Sequence, residues 1–430
     1  MAESERVRKT KNGVSIYSYK NPALHSFYIS LFAKAGCMYE DEKYSGITHF
    51  LEHILIRNVN HLYDGELYRI LDRRGLEFNA STYSEMVQFY VSGGSCNFNT
   101  GAEIIAKTLY PVSLKATDVD AERKRIKAEI RESDDKNSLT TFTSKVVFEG
   151  TPLASSIVGT NRAIDRISAR ILEDYRRSVF TKDNIFFYVT GNFDEADIDF
   201  LASLVEKAEV SDGKARDNIA PVPTCFGKRE PTVKVKSADF YMMRFTFDID
   251  MEKCTMAEID LIYDMLLSGY SSRLFFELSE KRGLFYDING ATERYKNIGT
   301  IYFSFELKEK NIPEAAMLVV DILNSLKQKN TVENECTKAG YVDNAYMLYD
   351  DSRELNFTFA YDNHIMNSGY ASIEERRIRY DEVTSERLAE VASMIFRPEN
   401  LTITLKGKKN KIDEEKIISI VRGLQDASFE

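Results

Sequence analysis

Apolar residues gather in short stretches with the alternation or continuous run of β-strands at Ser26 to Gly36 (SFYISLFAKAG), Gln88 to Ser92, Phe240 to Ile249 (FYMMRFTFDI) and Thr300 to Leu307. Longer segments between them carry apolar residues at helical spacing, so strands and amphipathic helices alternate along the chain. One such passage occurs twice. Ile164 to Asn192 (IDRISARILEDYRRSVFTKDNIFFYVTGN) and Tyr380 to Lys408 (YDEVTSERLAEVASMIFRPENLTITLKGK) correspond at one constant offset: Phe180 meets Phe396, Asn184 meets Asn400 and Gly191 meets Gly407. Each copy predicts a polar helix start at Ser168 or Thr384, an amphipathic helix, a short loop and a strand ending at the glycine. The strand-like starts of the two halves also correspond, and each is followed by a helical segment.

The same order of elements in both halves predicts an α+β chain of two homologous domains, 1–210 and 232–430, each a mixed or antiparallel sheet backed by helices. Ser211 to Pro231 (SDGKARDNIAPVPTCFGKREP) has neither period and holds three of the eight prolines, so 211–231 reads as the linker. The length of 430 residues agrees, since a single core usually stops growing well before this size.

Composition narrows the function classes. The net charge is −10, with 57 basic residues scattered among 67 acidic ones, which excludes the basic stripe of a nucleic-acid surface. Cys37, Cys96, Cys225, Cys254 and Cys336 are widely spaced and contain no CxxC pair. That pattern argues against a disulfide framework or a cysteine zinc site, and for a reducing compartment. The charged opening MAESERVRKTKNG shows no secretory signal, and no membrane span follows, so the expected location is the cytoplasm.

Two of only five histidines flank one glutamate as His49-Phe50-Leu51-Glu52-His53. If Ile47 to Asn58 is helical, His49 and His53 lie one turn apart on one face, as two imidazoles sharing one zinc must. Glu52 could then reach a water on that metal and act as general base. A buried helix with two incidental histidines is the alternative. A catalytic zinc also needs a third protein ligand. Thr117 to Ser133 (TDVDAERKRIKAEIRES) predicts a helix with Thr117 and Asp120 as a capping box, and Glu122 and Glu129 share one of its faces. A solvated charged face explains that spacing equally well.

Here the chain resembles the insulinase/pitrilysin family of inverted-motif zinc peptidases, which includes the mitochondrial processing peptidase. The family pairs HxxEH with a distal glutamate at a characteristic distance along the chain, and Glu129 stands at that distance from His53. The resemblance implies His49, His53 and Glu129 as ligands of one Zn2+ per chain, Glu52 as the base, and Glu122 as a glutamate supporting catalysis. Ala35-Gly36, Glu40 and Gly46 before the motif, Gly150-Thr151-Pro152-Leu153, Gly159-Thr160, Ser271 to Phe275 and Glu280 to Tyr286 extend it along the chain. Asn79, Ala80, Ser81 and Thr82, followed by Glu85, resemble the edge strand that pairs with substrate. Tyr286 matches a tyrosine that contacts substrate, although it could equally be a core aromatic. Where the family commonly has an arginine this chain has Ser279, and Arg282 could compensate. After the motif, Ile56-Arg57-Asn58-Val59 replaces the common Phe-Lys-Gly-Thr, which reads as a packing change away from the ligands. Shifting His49 and His53 by the offset of the repeat gives Met265 and Gly269, so only the first half would carry zinc.

The implied fold is that of the processing-peptidase-like metallohydrolases, in which a two-domain chain forms half of a clamshell. The implied activity is zinc-assisted hydrolysis of extended peptides in a chamber completed by a homodimeric or heterodimeric partner of the same family. Removal of a leader from a modified or secreted peptide is a narrower form of that activity. A non-catalytic scaffold subunit of the same fold is the alternative from another class.

Overall fold

The computed structural model of the chain describes residues 4–132, 138–213, 230–367, 369–370 and 372–424. Strands β1 (Arg6–Lys9), β2 (Ser15–Lys20), β3 (Ser26–Ala33), β4 (Glu77–Thr82), β5 (Val87–Gly94) and β6 (Ile185–Gly191) form one sheet in the order β1-β2-β6-β3-β5-β4. Strands β7 (Thr232–Ser237), β8 (Met242–Asp250), β9 (Ile288–Arg294), β10 (Ile298–Glu306) and β11 (Leu401–Gly407) form a second, in the order β7-β11-β8-β10-β9. Without β1 the two orders coincide, and each contains one parallel pair, β2 with β6 and β7 with β11. Helices back both sheets, which is the expected α+β architecture of two similar halves.

The repeated passage folds the same way twice. Helices Ala169–Val179 and Ser385–Ile395 are capped by Ser168, whose Oγ accepts from the Ile171 amide, and by Thr384, whose Oγ1 accepts from the Arg387 amide. Phe180 and Phe396 then turn the chain and are both buried. Asn184 and Asn400 each donate back to carbonyls at the end of the preceding helix, Asn184 to Val179 at 2.8 Å and Asn400 to Met394 at 2.8 Å. These bonds satisfy groups the helix leaves open, which is why an asparagine stands at both positions.

The described residues form two compact units, neither of them a single stretch of chain. The first takes its residues from 1–135, 155–219 and 346–375; the second from 136–154, 220–345 and 376–430. Residues 214–229, most of the expected linker, lie outside the described residues. In the first unit Phe27, Ile29, Leu31 and Ala33 of β3 point into the main core, while Ser30 on the opposite face is equally buried. The helix Ser352–Ala360 covers that second face. Its Asn356 accepts from Ser30 at 2.7 Å and donates to the Tyr28 and Tyr188 carbonyls at 3.3 and 2.9 Å. In the second unit Met243, Phe245, Phe247 and Ile249 of β8 face the core. Arg244, Thr246 and Asp248 take the other face, buried as well. There the covering helix is Leu139–Val147, whose Thr143 meets Thr404 of β11 at 2.6 Å. Each sheet is thus closed on its polar side by a helix from the other half of the chain.

The offset of the repeat does not hold throughout. β3 and β8 are joined to their following helices, Ile47–His61 and Met256–Leu267, by residues 34–46 and 251–255. The shorter connection slides the second helix relative to the first, so Met265 and Gly269 are not the structural counterparts of the histidines. Gly269 lies beyond the helix, at φ 79°. The helix Met256–Leu267 contains no histidine. No described helix is long and apolar enough to cross a membrane.

Candidate metal centre

The motif lies on the helix Ile47–His61, longer than the expected Ile47 to Asn58. Phe50, Leu51, Ile54 and Leu55 are fully or almost fully buried in the first core, which fixes the helix's rotation. Its start is capped from a distance: the Glu40 carboxylate accepts from the Gly46 amide at 2.7 Å and the Thr48 amide at 2.9 Å. Gly46 has a left-handed backbone, φ 88°, and a Cβ there would come within 2.7 Å of Gly159 Cα. Glu40, Gly46 and Gly159, scattered members of the family pattern, therefore share one task, seating the first turn of the motif helix.

Glu122 and Glu129 come from the helix Ala116–Glu132, held against the core by Val119, Ile126 and Ile130. This helix starts one residue before Thr117, so Thr117 lies inside its first turn and does not cap it. Asp118 accepts from the Lys115 amide instead, at 3.1 Å. The expected end at Ser133 lies outside the described residues. Glu129 Oε1 is 3.5 Å from His49 Nε2, and its Oε2 is 3.5 Å from His53 Nε2. One donor atom from each of His49, His53 and Glu129 lies within 4.8 Å of the others. Glu122 sits behind this cluster, its Oε2 3.3 Å from His53 Nδ1. Burial pushes its carboxyl upward, but the hydrogen bonds from His53 and Arg57 outweigh that and hold it below the usual range.

The donor set fits a zinc ion. A carboxylate facing His53 Nδ1 favours a proton on that nitrogen, so Nε2 is the atom left to meet a metal. Burial, assisted by His53, lowers His49 to about 4, so its ring is neutral near pH 7. His49 Nδ1 is buried with no hydrogen-bond partner among the described residues. Two imidazoles and one carboxylate converging on one point suit zinc with an open position.

Glu52 lies beside the cluster and is buried. Burial raises its carboxyl above the usual range, against the opposing pull of Thr82 and His53. Thr82 Oγ1 donates to Glu52 Oε2 at 2.5 Å, a contact that sequence spacing did not announce. Asn79, Ala80, Ser81 and Thr82 all belong to β4, which among the described strands pairs only with β5 and so presents an open edge there. Asn79 is exposed, and the other three are half-buried. A cavity of about 1030 Å³ in this unit is lined by Glu52, His53, Arg57, Phe78, Asn79 and Glu122, among others. Arg282 and Tyr286 belong to the second unit. Tyr286 is 96% exposed and so is not a core aromatic. Arg282 donates to the Glu277 carbonyl at 2.7 Å and to its carboxylate at 2.9 Å. Ser279 donates to the Phe285 carbonyl at 2.9 Å.

Arg57 corrects the sequence reading of its segment. Its guanidinium donates to Glu122 Oε1 at 2.7 Å and to Asp118 Oδ1 at 3.1 Å, so it is joined to the cluster of His49, His53 and Glu129 through one carboxylate. Its position one turn after His53 on the same helix face was the available signal.

Residues 15–161 match a family profile described as insulinase (peptidase family M16), and residues 166–339 match one described as peptidase M16 inactive domain. A protein named an uncharacterized zinc protease in Rickettsia bellii is 27% identical over 314 residues, covering 71% of this chain and 74% of that protein. Subunit 1 of the mitochondrial cytochrome b-c1 complex of Caenorhabditis elegans is 28% identical over 177 residues, covering 41% of this chain and 37% of its own. A crystal structure of a protease from Helicobacter pylori superposes with a TM-score of 0.81 at 18% identity, covering 95% of this chain and all of that one, which speaks to the fold alone.

Proposed function

The chain belongs to the insulinase family of peptidases, M16, and from that premise we propose that it is a zinc metallopeptidase that hydrolyses peptide bonds in extended peptides, with one zinc per chain. The observation that carries the reading is the meeting of His49, His53 and Glu129 donor atoms beside Glu52. Zinc held there by the two Nε2 atoms and the Glu129 carboxylate would supply Lewis acidity, lowering the pKa of water and polarising a carbonyl. Thr82 fixes one oxygen of Glu52, which leaves Oε1 to take a proton from water and return it to the departing amine. The raised affinity of buried Glu52 for a proton suits that exchange. The open edge of β4 binds the peptide backbone as an added strand, which selects extended chains over folded ones.

The reading includes Arg282 and Tyr286 as substrate-contacting residues and a second subunit of the same family. Leader removal in a reducing, cytoplasmic setting is its narrowest form, supported by the scattered cysteines. One observation favours a non-catalytic scaffold, namely the similarity to a cytochrome b-c1 complex subunit. The full donor set and Glu52 weigh against it.

Zinc analysis and digestion of a peptide library by the purified chain, with and without chelator, test the two readings. Bound zinc and chelator-sensitive cleavage, by the chain alone or after adding a related subunit, support the peptidase. A chain that binds no zinc and cleaves under neither condition is a scaffold.

A further inference from the structure

His49 and His53 are supported unequally. His49 Nδ1 has no hydrogen-bond partner among the described residues, whereas His53 Nδ1 faces Glu122. Glu122 divides its carboxylate between two neighbours, with Oε2 toward His53 at 3.3 Å and Oε1 accepting from Arg57 at 2.7 Å. Asp118, one turn before Glu122 on the same helix, takes the other arm of the guanidinium at 3.1 Å. Arg57 is therefore clamped between two carboxylates of one helix while its own backbone belongs to the other. It ties the helix bearing the two imidazoles to the helix bearing Glu122 and Glu129.

We propose that Arg57 is a positioning residue for the metal centre, acting through Glu122 on His53. The proposal rests on the zinc reading and assigns a role to a residue outside the expected ligands and base. A ligating imidazole must present a neutral Nε2 in a fixed direction, and an ionised carboxylate at its Nδ1 does both by holding the proton and the ring plane. That carboxylate works only while it does not rotate. Glu122 is buried, and Arg57 holds its Oε1 at 2.7 Å. A guanidinium gripping Asp118 as well cannot swing away with Glu122, so it fixes the direction of Oε2 and not merely its charge. Lysine could supply the charge, but it would not bridge two carboxylates through a planar fork. The helix-to-helix tie acts in the same sense, since Glu129 is two turns beyond Glu122 and must meet the same point in space as His53.

The test measures zinc binding by the full chain, using competition with a chromogenic chelator, for the wild type, Arg57→Gln and Arg57→Lys. Arg57→Gln is expected to weaken zinc by about tenfold, the lower end of the range for partners standing behind a metal ligand. Arg57→Lys is expected to recover only a minor part of that loss, since it restores the charge at Glu122 without the fork that also grips Asp118. Cobalt substituted for zinc should show an altered visible spectrum in Arg57→Gln, a signature that loss of general stability does not produce. Should Arg57→Gln fold poorly, Asp118→Asn leaves Arg57 in place but frees one arm of the fork, and an intermediate loss of affinity is expected. Wild-type zinc affinity and cobalt spectrum in Arg57→Gln overturn the proposal while leaving the zinc site intact. A wild-type chain that binds no zinc removes the site itself and the proposal with it.

Discussion

The two units share a strand order, a parallel pair in the same place and a helix-to-strand corner built on the same phenylalanine and asparagine. They differ in the connections that leave strands β3 and β8. In the first unit residues 34–46 carry Glu40 back to cap the motif helix, and that helix presents His49, Glu52 and His53. In the second, residues 251–255 lead directly into a helix started by a capping box of Thr255 and Glu258. The second solution is shorter and needs no distant carboxylate, and its helix faces carry Ile259, Leu261, Ile262 and Leu266 into the core. One architecture thus supports both a cluster of two histidines and a glutamate and a plain packed helix. The chemistry depends on side chains grafted onto it and on the connection that seats them.

The largest expected effect concerns the side of the comparison to which the proposed chemistry is assigned. Glu52→Gln is expected to lower turnover by about 10²- to 10⁴-fold, the usual contribution of a general base, with zinc content unchanged. Peptide cleavage and metal analysis on the same preparation decide it. Cleavage at the wild-type rate would mean that another group moves the proton, and that the asymmetry between the units lies elsewhere.

Much of the first unit's site could be read from spacing. His49 and His53 are one turn apart, and Glu122 and Glu129 share a helix face, because local helical geometry alone sets those relations. The strands β3, β5, β8 and β10 were visible for the same reason, in alternation or in continuous apolar runs. What spacing could not supply are contacts between elements far apart in sequence. Thr82 holding Glu52, Arg57 reaching Asp118 and the sliding of the helix Met256–Leu267 each depend on how two elements pack. The exchange of covering helices is the extreme case. Ser352–Ala360 and Leu139–Val147 look like ordinary amphipathic segments, and nothing local says that each closes a sheet in the opposite half of the chain.

The covering helices give the next prediction. Asn356 joins three groups of the first sheet at once, whereas Thr143 makes one contact across to β11. Asn356→Ala leaves the Tyr28 and Tyr188 carbonyls buried without that donor, and is expected to cost about 3 kcal/mol. Chemical unfolding, with hydrogen exchange of the β3 and β6 amides, measures it. A cost below about 1 kcal/mol would mean that water or relaxation satisfies those carbonyls, and that the first sheet relies on its cover no more than the second does.

A smaller effect separates the hairpin turns. Between β4 and β5 the first unit buries Glu85, which accepts a hydrogen bond from Tyr361 of the covering segment. Between β9 and β10 the second unit has the exposed Lys296. Burial raises the Glu85 carboxyl to about 7, with Tyr361 and Lys34 only partly opposing it. The folded state therefore keeps a proton that the unfolded state releases, from the ordinary carboxylate range up to about pH 7. Stability from this group is full below the unfolded value and is lost as pH rises through the folded one. Glu85→Gln should change little at pH 4 and should stabilise the first unit by about 2 kcal/mol at pH 8, seen as slower exchange of β4 and β5 amides. Equal exchange in the two proteins at pH 8 would show that Glu85 ionises at no cost.

The smallest effect tests the second unit's cover by the same logic. Thr143 Oγ1 and Thr404 Oγ1 lie 2.6 Å apart, and both residues are buried. Thr143→Val keeps the shape but leaves the Thr404 hydroxyl without this partner, at an expected cost of about 1 kcal/mol. Replacing both threonines by valine removes the stranded group as well, and valine suits a strand at position 404. The double variant should therefore be closer to wild type than Thr143→Val alone, because most of the single-variant cost is the unsatisfied hydroxyl and not the bond itself. If instead the two single costs simply add, the hydroxyls do not work as a pair. Apolar packing of the helix Leu139–Val147 would then hold the second sheet's cover, in contrast to the polar joint at Asn356 in the first.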